Sequence, residues 1–299
     1  MTGSQLSKMR IIPEYDPEVL CPKFETHAYT ERKEKELALA IDRVIRKGSN
    51  LLPYETLYRF RQNLSNNIDN ERYLLDLANM PLSSWVQKRE IRRVIISNTT
   101  AFVDKTPYER LRFLTSLDYK LIVPIEEIHK FDIRKANKRF QKAIIKRLSR
   151  IPNWRGFLFA FWESEGEPNR MQSQFHSHIV ASDDVLDVTK AYLKELLAKS
   201  RDNCDTIKSH GKSKVLTGKS AAEIASVFGY CTKTEIKAKA ISLPGKNGKT
   251  IRARKKHYMK DDMLVAMWSY FNDKTISDVI TLIGVRPTKS GFKYTRGGV

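Results

Sequence analysis

The chain has 299 residues, 41% of them hydrophobic, which is enough for a packed core in one large domain or a medium domain with flanking segments. Its 54 Lys and Arg against 34 Asp and Glu leave a net charge of +20, a balance that calls for a polyanionic partner. No apolar run approaches the ~20 residues of a spanning helix and the N-terminus lacks a secretory h-region, so a soluble, cytoplasmic protein is expected, with nucleic acid rather than membrane as its partner.

Cys21, Cys204 and Cys231 are odd in number and form no Cys-x-x-Cys pair, which argues against a disulfide framework or a zinc ribbon. Residues 1–30 carry Pro13, Pro17 and Pro22 and read as an irregular arm. Helical spacing follows from Thr30 to Lys47, stopped by Gly48, then around Tyr54–Gln62 and Asn70–Asn79, and Trp85–Ile96 is a mixed stretch rich in Arg and Ile. We read 1–107 as a basic helical region.

The pattern changes near residue 108. Leu111–Leu117 reads as a strand, residues 131–149 as a basic amphipathic helix, and Gly156–Glu163 as an apolar strand. A polar loop with Gly166 and Pro168 leads to a second strand over Gln174–Ser182, so the two form a hairpin with a long tip. Leu186–Ala198 reads as a helix, Lys212–Leu216 as a short strand, and Ser220-Ala221-Ala222-Glu223 as a capping box opening a helix to about Glu235. The class is α+β with a central, mainly antiparallel sheet. Between Ile236 and Lys260 stand nine Lys or Arg, with turns at Pro244-Gly245 and Asn247-Gly248. Helical patterning returns over 262–284, ahead of a Gly- and Lys-containing tail. The organisation is therefore 1–107, a core at 108–240, and a basic loop with a helical C-terminal region at 241–299.

His176-Ser177-His178 lies in a strand, where alternation sends both imidazoles to one face and converges two nitrogens. With six His in the chain, that spacing arises by chance only about 0.1 times. The alternative is two half-exposed histidines without a ligand. Imidazoles suit Mn, Zn, Fe, Ni or Cu, and an added carboxylate makes Mn2+ or Mg2+ plausible. Glu163, at the end of the apolar strand paired with the His strand, is the chosen third ligand, with Glu165 or Glu167 replacing it in another register. Tyr230 and Lys233, three residues apart in a predicted helix, share a face. A Tyr at a core edge is the plainer reading of that residue.

The order of these pieces resembles a known family. Phe113-Leu114-Thr115-Ser116 in a strand, then His176-Ser177-His178 between apolar residues, then Tyr230-Cys231-Thr232-Lys233 is similar to motifs one, two and three of rolling-circle replication initiator (Rep) proteins of the HUH endonuclease superfamily. The resemblance covers roughly residues 108–235. Relaxases of that superfamily usually place Tyr before the His pair, so the order here favours a Rep. It implies an RRM-like antiparallel sheet with the His pair on its central strands, and a divalent metal held by the pair and a third polar residue. It further implies Tyr230 as the nucleophile on single-stranded or origin DNA, a 5′-phosphotyrosine, and a 3′-hydroxyl for a host polymerase, with a helicase as a further partner. The segment between Glu163 and His176 is longer than in compact members, the Gly-x-Pro-His-like run is missing, and motif one is loose. Position 234 is Thr, so there is no second Tyr beside the first. Three other readings remain open at this point: a DNA- or RNA-binding protein without catalysis, a hydrolase using water at the His pair, and a transposase or relaxase of the same superfamily.

Overall fold

The fold comes from a computed structural model, which describes residues 6, 8–68, 80–203, 213–233, 236, 238, 242–244, 250–252 and 259–295. The expected helix over Asn70–Asn79 and most of the basic stretch 236–260 lie outside the described residues. Among the described residues no helix is long and apolar enough to cross a membrane.

In the proline-containing arm, a 3-10 turn over Pro13–Tyr15 leads into the short helix α1 (Pro17–Leu20), capped by the Asp16 carboxylate. Helix α2 (His27–Lys47) starts at the Thr26 N-cap and ends at Gly48, and α3 (Tyr54–Ile68) packs beside it. The stretch expected to be mixed is a 21-residue helix, α4 (Trp85–Lys105). Its polar face is hidden as well, because Ser97, Asn98, Thr99 and Thr100 are buried along with Ile91, Val94, Ile95 and Phe102, and the helix runs through the interior.

The core follows as β1 (Leu111–Ser116), β2 (Ile122–Pro124), α5 (Ile133–Leu148), β3 (Leu158–Glu167), β4 (Gln172–Ser182), α6 (Asp183–Asn203), β5 (Lys214–Val215) and α7 (Ala221–Cys231). A small hairpin of β6 (Ser242–Pro244) and β7 (Thr250–Arg252) precedes α8 (Asp261–Tyr270), α9 (Ile276–Val279), β8 (Ile280–Ile283), β9 (Val285–Thr288) and β10 (Gly291–Tyr294). The architecture is α+β, with a six-stranded antiparallel sheet in the order β5-β1-β4-β3-β8 and β2 pairing the start of β4. Helices α5 and α6 cover one face, where Phe140 meets the Trp162 ring. Helices α4 and α7 cover the other, where Phe102 and Phe228 meet Phe159.

Three expectations need correcting. Pairing in the central hairpin continues to Glu167↔Gln172, so the tip is only Pro168–Met171 and the polar segment around Gly166 is strand. The helix opened by Ser220 ends at Cys231, where the C-cap Thr232 leaves helical backbone (φ −112, ψ 25); Lys233 therefore lies just beyond the helix. The helical patterning at 262–284 contains a strand: Ile280-Thr281-Leu282-Ile283 is rich in β-branched residues and pairs with β3. Gly284 ends it at φ +71, where a Cβ would stand 2.3 Å from Gly156 O. The tail beyond is the β9–β10 hairpin.

Candidate metal centre and nucleophile

The hairpin β3–β4 builds the site. Its register sets Glu163 opposite His176 and Phe161 opposite His178, while β1 sets Thr115 on the other side of His178. Strand alternation thus brings Thr115, Glu163, His176 and His178 to the face covered by α4 and α7. Glu163 Oε1 lies 2.8 Å from His176 Nε2, 2.7 Å from His178 Nε2 and 3.2 Å from Lys233 Nζ. Both imidazoles are buried, contrary to the half-exposed alternative. Glu165 and Glu167 lie further along β3, opposite Gln174 and Gln172.

The donor set suits a cation. His176 Nδ1 lies 3.4 Å from Gln174 O and both rings turn Nε2 towards Glu163 Oε1; burial opposes charge on His176, but the Glu163 carboxylate outweighs it and raises that imidazole. Two acceptors at that separation repel unless a proton or a metal ion lies between them. Ligands ~2.1 Å from a shared ion sit ~3.0–3.4 Å apart, so a shift of a few tenths of an ångström converts these contacts into a coordination set. The three residues form a buried group that could hold a metal ion. Thr115 Oγ1, 3.4 Å from His178 Nδ1, backs the second imidazole.

Electrostatics point the same way. Burial alone would raise the Glu163 carboxyl, but hydrogen bonds from both imidazoles override it and hold the group well below the usual carboxylate range. His178 is pulled down by burial and stays neutral, as a ligand must. Burial also opposes the charge on Lys233, yet Glu163 and Tyr230 outweigh it and keep the ammonium protonated, so it acts as a charge and not as a base.

Tyr230 occupies the last turn of α7. Its ring lies 4.8 Å from the His178 ring and 5.7 Å from that of Phe113, with Lys233 Nζ 3.8 Å above its centroid, and the residue is 51% exposed. The structure thus brings all five predicted residues together, although Lys233 arrives from the loop after the helix.

Arg92 on α4 went unnoticed in the sequence. Its Nη2 donates to Gly229 O (2.9 Å), its Nε to Thr232 Oγ1 (3.4 Å), it is ion-paired with Glu25, and it lies over the Phe24 ring. A helix leaves its last carbonyls without internal partners, so a guanidinium there fastens the turn that carries Tyr230. Burial pulls the guanidinium down to about 9, and it remains charged at neutral pH. Nothing in Arg89-Glu90-Ile91-Arg92-Arg93 marks the middle basic residue as different from its neighbours, so only the packing reveals it. Comparison with protein-family models, curated proteins and solved structures returns no match.

Proposed function

We propose that the chain is a metal-dependent endonuclease and strand transferase for single-stranded DNA, of the HUH type and acting as a rolling-circle replication initiator, with Tyr230 as nucleophile. The observation that carries this reading is the convergence of a Glu-His-His donor set with a half-exposed tyrosine whose ring lies against one of the imidazoles. A divalent ion such as Mn2+ or Mg2+, held by Glu163, His176 and His178, would supply positive charge to a non-bridging oxygen of the scissile phosphate.

The remaining work belongs to the chain. A phenol is a weak nucleophile, and the ammonium of Lys233, 3.8 Å above the Tyr230 ring, sets positive charge beside the attacking group where phosphate charge can be met. The phenolate oxygen bonds to phosphorus while the P–O3′ bond breaks, the released 3′-oxygen takes a proton, and the DNA 5′-phosphate remains on Tyr230. Attack by a 3′-hydroxyl on that phosphotyrosine restores the phenol and joins the strand. His176 and His178 are fixed by Gln174 O and Thr115, so the centre is oriented before substrate arrives.

The test is the covalent product. Wild-type protein with Mn2+ and single-stranded origin DNA should give a denaturant-resistant adduct at Tyr230; a non-catalytic binder or a water-using hydrolase gives none.

A further inference from the structure

We infer that a furrow at the opposite end of β1 and β4 from the His pair is a second DNA subsite, one that stacks unpaired bases of a single strand on Tyr108, Trp154 and Tyr294. The inference rests on the single-stranded-DNA part of the proposed function and not on its chemistry.

The furrow is a cavity of about 890 Å3 between the α4–β1 loop, the α5–β3 loop and the start of α6. A hollow of about 360 Å3 shares Lys105, Thr106 and Tyr294 with it and adds Lys293. Spaces of this size take a base with its sugar. The three aromatic side chains are held by the fold while remaining partly exposed. Tyr108 sets its ring edge-on to Phe157, the Tyr294 hydroxyl accepts from Gly156 N (2.8 Å), and Trp154 rests against the core. Single-strand sites combine such aromatics with cations along the backbone path.

The cations present are Lys105, Arg155 and Lys293, with Arg110 already ion-paired to Asp187, and all are exposed. Three acids also line the furrow: Asp183 and Asp184 shape the loops, Asp183 Oδ1 accepting from Glu109 N and Arg110 N and Asp184 Oδ2 from Arg155 N, while the Glu109 carboxylate is exposed. Asp183 and Asn153, two of the three non-glycine residues at positive φ among the described residues, both line the cavity. Backbone in that region persists where the surroundings over-determine it, often at binding sites.

A route connects the furrow to the nucleophile. Phe113 touches the Tyr230 ring and pairs with the exposed Lys214 on β5, and β1 runs on from there to the furrow, with Arg112 and Arg110 turned to its opposite face. His178 and Ser182 are four residues apart on β4, about 13 Å at ~3.3 Å per residue. That matches about four stacked nucleotides at ~3.4 Å each. The furrow would therefore hold bases a few nucleotides from the scissile phosphate.

The chain supplies its own reporter, because Trp85, Trp162 and Trp268 are buried and Trp154 alone of the four is not. The full-length protein is titrated in EDTA with a 20-nucleotide oligo(dT), following tryptophan emission and, in parallel, the anisotropy of a labelled oligonucleotide. Oligo(dT) should quench the wild type, and Trp154→Phe should abolish the quench. Trp154→Leu should weaken binding by roughly fivefold to a hundredfold with an unchanged salt slope, as expected for one lost stacked base. Arg155→Ala, at an exposed position, should instead flatten the slope. Persistence of the quench in Trp154→Phe, unchanged affinity in both Trp154→Leu and Arg155→Ala, or equal quenching by a blunt duplex overturns the furrow. If wild type forms a Tyr230 adduct while the furrow variants bind normally, the furrow alone fails. If the variants bind weakly and no adduct forms, the nuclease reading fails and the furrow stands; absence of any single-strand binding removes both.

Discussion

Glu163 and His176 face each other across β3 and β4, and the Glu163 Oε1 atom that lies 2.8 Å from His176 Nε2 is the same atom that meets His178 Nε2 and Lys233 Nζ. One carboxylate oxygen thus draws together two imidazoles and an ammonium in a largely buried setting. Metal binding should therefore be measurable as stability. Mn2+ at about one hundred times its Kd should stabilise the wild type by about 2.7 kcal/mol, and EDTA should reverse the gain. Thermal unfolding of Glu163→Gln and His178→Ala should show no Mn2+ response. A full response in both variants would place the metal elsewhere.

Glu34 predicts a pH dependence unrelated to the site. It is fully buried in α2, accepts from Trp85 N (2.6 Å) at the start of α4, and has Oε1 without a hydrogen-bond partner. A helix N-terminus favours a carboxylate, yet burial outweighs it and raises the carboxyl to about 7. The folded state therefore holds a proton that the unfolded chain releases near 4.5. Stability from this residue is present at the acidic end of that window and declines as pH rises from about 4.5 to about 7, by about 3 kcal/mol in all. Urea unfolding at pH 5 and pH 8 should show the decline in wild type, and Glu34→Gln should lose it. An equal decline in the variant would refute the assignment.

Arg92 links the N-terminal arm to the turn that carries the tyrosine. Replacing it with Met removes the ion pair with Glu25 and leaves Gly229 O without this donor, changes that together cost about 3–5 kcal/mol. Arg93→Met, by contrast, removes a more exposed guanidinium paired with Asp16 and Glu18, and should cost about 1 kcal/mol. Urea unfolding of the two variants should preserve that order, and an inverted order would deny Arg92 its role as a clamp.

Two glycines at almost the same φ separate backbone strain from crowding. Gly218 (φ +75) has open space where a Cβ would go, whereas at Gly284 (φ +71) a Cβ would meet Gly156 O at 2.3 Å. Gly218→Ala should cost about 1–2 kcal/mol, from the left-handed backbone alone. Gly284→Ala should exceed it clearly in calorimetric unfolding, since backbone must move where β8 and β3 approach.

Much of this arrangement was legible in the sequence for a definable reason. Strand period places residues without knowledge of the partner, so His176-Ser177-His178 and the apolar run ending in Glu163 already specify a shared face. The Ser220 capping box likewise fixes where α7 begins. Its end was not legible, because the carbonyl at that turn is met by Arg92 from a helix 137 residues away in sequence from Gly229. The same holds for β8: Ile276, Val279, Ile280 and Ile283 satisfy a helical repeat as well as a buried strand, and the pairing with β3 decides between them. Segment α4 looked mixed because a helix buried on all sides has no polar stripe to display.

The central claim is that Tyr230 attacks DNA. The direct measurement is intact-protein mass spectrometry and peptide mapping after incubation with single-stranded origin DNA and Mn2+. The account predicts a species equal to protein plus a 5′-phosphorylated fragment, mapped to Tyr230 and abolished in Tyr230→Phe, a variant that keeps the ring packed on His178 and Phe113. Lys233→Ala should slow its formation by roughly tenfold to a thousandfold without abolishing it. Robust adduct from Tyr230→Phe, or none from wild type when Mn2+ and DNA binding are both confirmed, would contradict the account.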